Sequence, residues 1–133
     1  MEEAAVLAED VSFMNTHGTA TVYNDEMESK AIHLAGLETV PVHSLKSYFG
    51  HTLGASGVIE SIICIHELKE NVLFGTLGYE KPGVSMPILV QADHQEIPMK
   101  HCIKTASGFG GCNAAIVLTL PAYQKQPSRV QSS

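Results

Sequence analysis

Apolar positions along the chain alternate between two rhythms, and the change of rhythm marks the elements. Residues 11–15 (VSFMN) and 40–44 (VPVHS) are short β-branched and aromatic runs that read as strands, each ending in small or polar residues. Between them, residues 25–36 place Met27, Ala31, Leu34 and Ala35 on one helical stripe; Asp25 and Glu28 have capping-box spacing, and Gly36 is a stop. A longer helix is predicted over 52–70. It carries Leu53, Val58, Ile59, Ile62, Ile63, Cys64, Ile65 and Leu68, more apolar positions than one stripe needs, so it is expected to be covered on several sides, with Asn71 ending it. Residues 2–9 read as a short helical piece, 72–87 as a Gly/Pro-broken connection, and 88–91 as a short strand. Two longer strands, 101–107 and 114–120, flank the hairpin Gly108-Phe109-Gly110-Gly111. The order strand, helix, strand, helix, strand, strand predicts an α/β domain with a mixed sheet over 1–120, followed by a polar, Pro-interrupted tail over 121–133.

Composition narrows the class. At 133 residues with 44% hydrophobic and 17% charged residues, the chain is sized for one core. A net charge of -6 argues against nucleic acid, and no apolar run approaches the ~18 residues of a membrane span. Cys64, Cys102 and Cys112 are odd in number and lack CxxC spacing, so a reducing, cytoplasmic setting is expected, without a disulfide framework.

Candidate chemistry gathers where strands end: His17 after the first strand, Lys46 and His51 after the second, and the glycine hairpin. Two histidines there can serve as acid and base, as metal ligands, or as hydrogen-bond donors to a developing oxyanion. His51 precedes a helix N-terminus, which favours a neutral imidazole that still offers an N–H. No HxxxH or HxxEH pair exists, so no metal is predicted, and His33, His43, His66, His94 and His101 read as surface or supporting residues. Cys112 has glycine neighbours but no helix N-terminus to activate it, and reads as structural.

Three motifs, NTHGTATVYND (15–25), SLKSYFGHTLGASGVIE (44–60) and SGFGGCN (107–113), resemble in order the C-terminal half of β-ketoacyl-acyl carrier protein synthases, the condensing enzymes of thiolase fold. The resemblance spans residues 10–120 and points to the elongating type with two histidines and a lysine. It implies a thiolase-like half domain with a mixed, mostly parallel sheet, and an acyltransferase role in fatty-acid or polyketide-like synthesis. His17 and His51 then match the histidines that bind the malonyl thioester carbonyl during decarboxylation. Lys46 matches the lysine of that site, Glu60 its carboxylate partner, Phe109 the gating phenylalanine, and Gly110 belongs to the glycine loop whose backbone N–H serves the oxyanion hole. The implied partners are acyl carrier protein bearing acyl or malonyl thioesters, and a Cys-bearing N-terminal synthase half or a homo-oligomer partner; no cofactor is implied. Ser107 stands where the family usually has Phe, Ser44-Leu45 replaces Ser-Thr, Tyr48-Phe49 replaces Met-Thr, and Gly78 replaces an Asn, which leaves the acyl pocket open to reshaping. The nucleophilic Cys of the family has no counterpart in this sequence. The chain by itself is therefore expected to be inactive in condensation, and the alternative is a split or decayed subunit acting as an interaction module. Aligned on the family, residues 11–15 match the second strand, so a central strand of the half is expected to be missing.

Overall fold

The computed structural model describes residues 4–121. The tail expected over 121–133 lies, beyond its first residue, outside the described residues. A four-stranded sheet runs in the order β2-β1-β5-β6, formed by β1 (Val11–Asn15), β2 (Val42–His43), β5 (His101–Gly108) and β6 (Cys112–Thr119). β1 is parallel to both β2 and β5, and β6 returns antiparallel from the hairpin. A second, two-stranded sheet pairs β3 (Val72–Leu73) with β4 (Gln95–Glu96).

This topology corrects one expectation. Val11–Asn15 is itself the inner strand, bonded on one side to β2 and on the other directly to β5, with Asn15 opposite His43 and Lys104. The sheet is thus continuous, with no gap left between β1 and β5. The sheet is open instead at β6, whose residues Cys112–Ile116 are exposed.

Alternation along β1 and β5 sorts side chains to two cores. Val11, Met14 and Ile103 pack with Ile32, Leu37, Val40 and Val42 on the face of helix α1 (Val22–Leu34). Phe13 and Cys102 pack with Cys64 and Leu68 of helix α3 (Ser56–Glu70) on the other. The helix expected over 25–36 begins three residues earlier, with Thr21 as its N-cap, because Glu28 is drawn away from capping by the loop before it. The helix expected over 52–70 divides into a 3-10 turn at Leu53–Ala55 and α3, and a short helix α2 (Lys46–Phe49), not expected, precedes them. Residues 8–10 form only a 3-10 turn, and Val90 makes a lone bridge to Val42 where a strand was expected.

α3 is inside out. Its buried face carries Glu60, Cys64 and Glu67 beside Leu68, whereas Val58, Ile62 and Ile65, spaced as one stripe, are 64%, 51% and 38% exposed. The expected cover on several sides is absent among the described residues.

Candidate active site

β1 delivers His17 to the carboxyl end of the sheet, where a carboxylate holds the backbone in place. Glu28 of α1 accepts from the His17 N–H at 2.9 Å, the Gly18 N–H at 2.7 Å, Asn24 Nδ2 at 2.9 Å and the Thr105 hydroxyl at 2.8 Å. Each bond to the charged group is of the strong, charge-assisted kind. Gly18 turns the chain at φ +41°, and a Cβ there would lie 2.7 Å from Ser44 Cβ. Only glycine lets the His17 loop approach the β2–α2 turn so closely. Ser44 closes the contact by donating its hydroxyl to the Gly18 carbonyl at 2.7 Å.

His51 arrives from the loop after α2, and its ring meets that of His17 edge to face, centroids 5.0 Å apart. The Leu53 backbone N–H donates to His51 Nδ1 at 3.0 Å. A nitrogen that accepts cannot carry a proton, so the remaining proton of the imidazole sits on Nε2 and is available as a donor. His17 is only 7% exposed, and burial, then the charge of Lys46, holds its pKa below the ordinary 6.5. His51 can thus offer its Nε2 N–H, and burial favours the neutral imidazole at His17.

Lys46 lies beneath them, its ammonium 2.6 Å from Glu60 Oε1. The other oxygen, Oε2, is 2.6 Å from Lys104 Nζ, a residue of β5 that the motifs do not contain. All three side chains are buried, so Glu60 balances two cations in a low-dielectric setting. The only sequence signal for Lys104 was a lysine inside an expected strand, beside Cys102 and Ile103. Glu28 was visible only as a cap.

Phe109 and Gly110 occupy the β5–β6 hairpin, Gly110 and Gly111 both at φ +83°. The hairpin rises from the strand end that carries His17, but Phe109 is 96% exposed, so its ring does not line the histidine pair. His33, His66 and His94 fit the surface or supporting reading, whereas His43 and His101 are 1% and 7% exposed and belong to the interior. Cys112 is exposed and unpaired, and Cys64 and Cys102 are buried and free.

Two histidines from separate elements, a buried lysine–carboxylate pair and a glycine hairpin thus lie at one end of a mixed sheet. Comparison with known proteins supplies the family. Residues 1–80 match the family described as the β-ketoacyl synthase C-terminal domain, and the chain belongs to that family. It is 34% identical over 122 residues to 3-oxoacyl-acyl-carrier-protein synthase 2 of Vibrio harveyi, covering 88% of this chain and 29% of that protein. To the polyketide biosynthesis malonyl-ACP decarboxylase PksF of Bacillus subtilis it is 30% identical over 118 residues, covering 89% of this chain and 28% of that protein. The crystal structure of a β-ketoacyl synthase from Burkholderia phymatum superposes with a TM-score of 0.82 at 32% identity, covering 89% of this chain and 29% of that one. A type II polyketide ketosynthase solved with its acyl-carrier protein gives 0.83 at 30% identity, covering 89% and 30%. The chain therefore spans less than a third of the length of these relatives. Their thiolase-like architecture agrees with the mixed, mostly parallel sheet seen here. No described helix is long and apolar enough to cross a membrane.

Proposed function

We propose that this chain supplies the malonyl-decarboxylating half of a β-ketoacyl synthase site, with the acyl-accepting cysteine contributed from outside these 133 residues. The observation that carries this reading is the pairing of His17 and His51 at 5.0 Å, with the His51 proton directed to Nε2. In this mechanism the thioester carbonyl of a malonyl group accepts hydrogen bonds from both imidazoles. The bond from the α-carbon to the carboxylate breaks, carbon dioxide leaves, and the electron pair moves into an enolate whose oxygen the two N–H groups stabilise. The enolate carbon then attacks an acyl thioester held by the cysteine of the complementary half, forming a carbon–carbon bond as the acyl C–S bond breaks and the cysteine thiolate leaves. Lys46, fixed by Glu60, adds positive potential beneath the site. Acyl carrier protein is the fitting donor, as in the relative solved with its carrier protein. The malonyl-ACP decarboxylase name of the Bacillus relative supports decarboxylation as the step these residues serve.

The test is carbon dioxide release from malonyl carrier protein by a complex of this chain with a Cys-bearing synthase half. His17→Ala and His51→Ala should each lower it by on the order of 100-fold, the usual effect of losing an oxyanion donor. His33→Ala and His94→Ala should leave it near wild type, and equal losses at all four positions would sink the assignment. The 133-residue chain alone should form no condensation product and no stable acyl adduct on Cys64, Cys102 or Cys112 by intact mass.

A further inference from the structure

On the far side of α3 from the apolar stripe, three metal-ligating side chains that the condensing chemistry does not use meet in the interior. His43 comes from β2, and Cys64 and Glu67 come from successive turns of α3. Their donor atoms all lie within 4.8 Å of one another, and the residues are 1%, 0% and 1% exposed. His43 Nε2 is 3.4 Å from Glu67 Oε2, yet neither atom makes a hydrogen bond among the described residues, nor does His43 Nδ1. Unpaired polar atoms at such depth are costly and call for a partner. The rest of the glutamate is already fixed: Oε1 accepts the Phe74 N–H at 2.9 Å, which turns Oε2 toward the histidine.

We propose that His43, Cys64 and Glu67 bind a zinc-class divalent cation that joins α3 to β2. Three protein donors leave the fourth tetrahedral position to a water. A mixed thiolate, imidazole and carboxylate set suits zinc and not magnesium or calcium, which take oxygen donors. Zinc tetrahedra hold their donors roughly 3.3–3.7 Å apart, so the cluster needs only to close by about an ångström at its widest. Binding displaces the Cys64 thiol proton to solvent and leaves a thiolate on the metal. Lys104, the nearby cation, is already neutralised by Glu60 at 2.6 Å and does not oppose the charge. Because the cluster is sealed, the ion enters as the chain folds.

The experiment refolds the full chain with zinc chloride, removes loose metal by gel filtration, and measures zinc in the folded fraction. About one zinc per chain is expected, and cobalt in its place should give the thiolate-to-metal charge-transfer absorption of a sulfur-ligated site. Glu67→Gln and Cys64→Ser should weaken retention at least tenfold, while His66→Ala, on the same helix and exposed, should not change it. The apolar triple variant His43→Leu, Cys64→Ala, Glu67→Leu removes every unpaired group at once, so it should fold without metal. Folded wild type carrying no zinc would overturn the proposal, as would undiminished zinc in the triple variant. Either result would leave the histidine-pair chemistry of the proposed function untouched.

Discussion

At the scale of single residues, what was legible depended on whether a side chain acts through its neighbours in sequence. His17, Lys46, His51 and Glu60 sit in contiguous motifs, and the structure brings the two histidines together and pairs the lysine with the glutamate. Lys104 and the hydrogen-bonding role of Glu28 were hidden, because their partners lie 44 or more positions away along the chain or across a loop. Two outcomes follow from these contacts. His17 is held below the ordinary value of 6.5 by burial, so the unfolded chain takes up a proton that the folded site rejects. Its contribution to stability is complete above that pH and falls as pH drops from 6.5 toward the lowered folded value. In urea titrations of the reconstituted complex, His17→Gln should flatten the stability slope in that window; an unchanged slope would show that His17 does not titrate there. Glu60→Leu should be far more damaging, by about 3–5 kcal/mol, because it strands two buried ammonium groups. The double change Glu60→Leu, Lys104→Met should restore part of that loss, and the same urea midpoint reads it.

At the scale of elements, existence was easier to read than extent. The β5–β6 hairpin follows from two apolar runs around glycines, and it formed within a residue or two of expectation. β4 escaped notice because Gln95–Glu96 has no apolar signal; pairing with β3, not propensity, makes it a strand. The character of α3 was misread for a physical reason. Its apolar excess looked like burial on all sides, but the fold gives the inner face to Glu60 and Glu67, each held by partners from other elements. The stop at Asn71 was read correctly and has a double basis. Asn71 adopts φ 54°, ψ 39°, and its side-chain oxygen accepts the Met99 N–H at 2.9 Å. Asn71→Gly keeps the backbone but loses that bond, whereas Asn71→Ala loses the bond and adds roughly 1–2 kcal/mol of left-handed strain. Alanine should therefore lower the urea midpoint more than glycine. The reverse order would place the stabilisation in the side chain alone.

At the scale of the whole molecule, the surface is shaped for company. Leu53, Val58, Ile62 and Ile65 form an aliphatic ridge on the 3-10 turn and α3, with Leu53 69% exposed, and β6 offers an open strand edge two strands away from β1. Monomers seldom leave such ridges bare, and unpaired edges invite pairing with another chain. The reason for expecting association is therefore not a hole in the sheet, since β1 and β5 close on each other, but two outward surfaces that α3 and β6 present together. We expect the isolated chain to self-associate or to pack loosely, and a complementary synthase half to stabilise it by covering the ridge. Sedimentation velocity combined with hydrogen exchange tests both parts. Ile62→Asp places a charge at the middle of the ridge, at a half-exposed position. It should shift the isolated chain toward monomer while weakening binding of the complementary half. A well-protected wild-type monomer, unaffected by Ile62→Asp, would mean that the ridge is an ordinary surface and that the half-site needs no partner to fold.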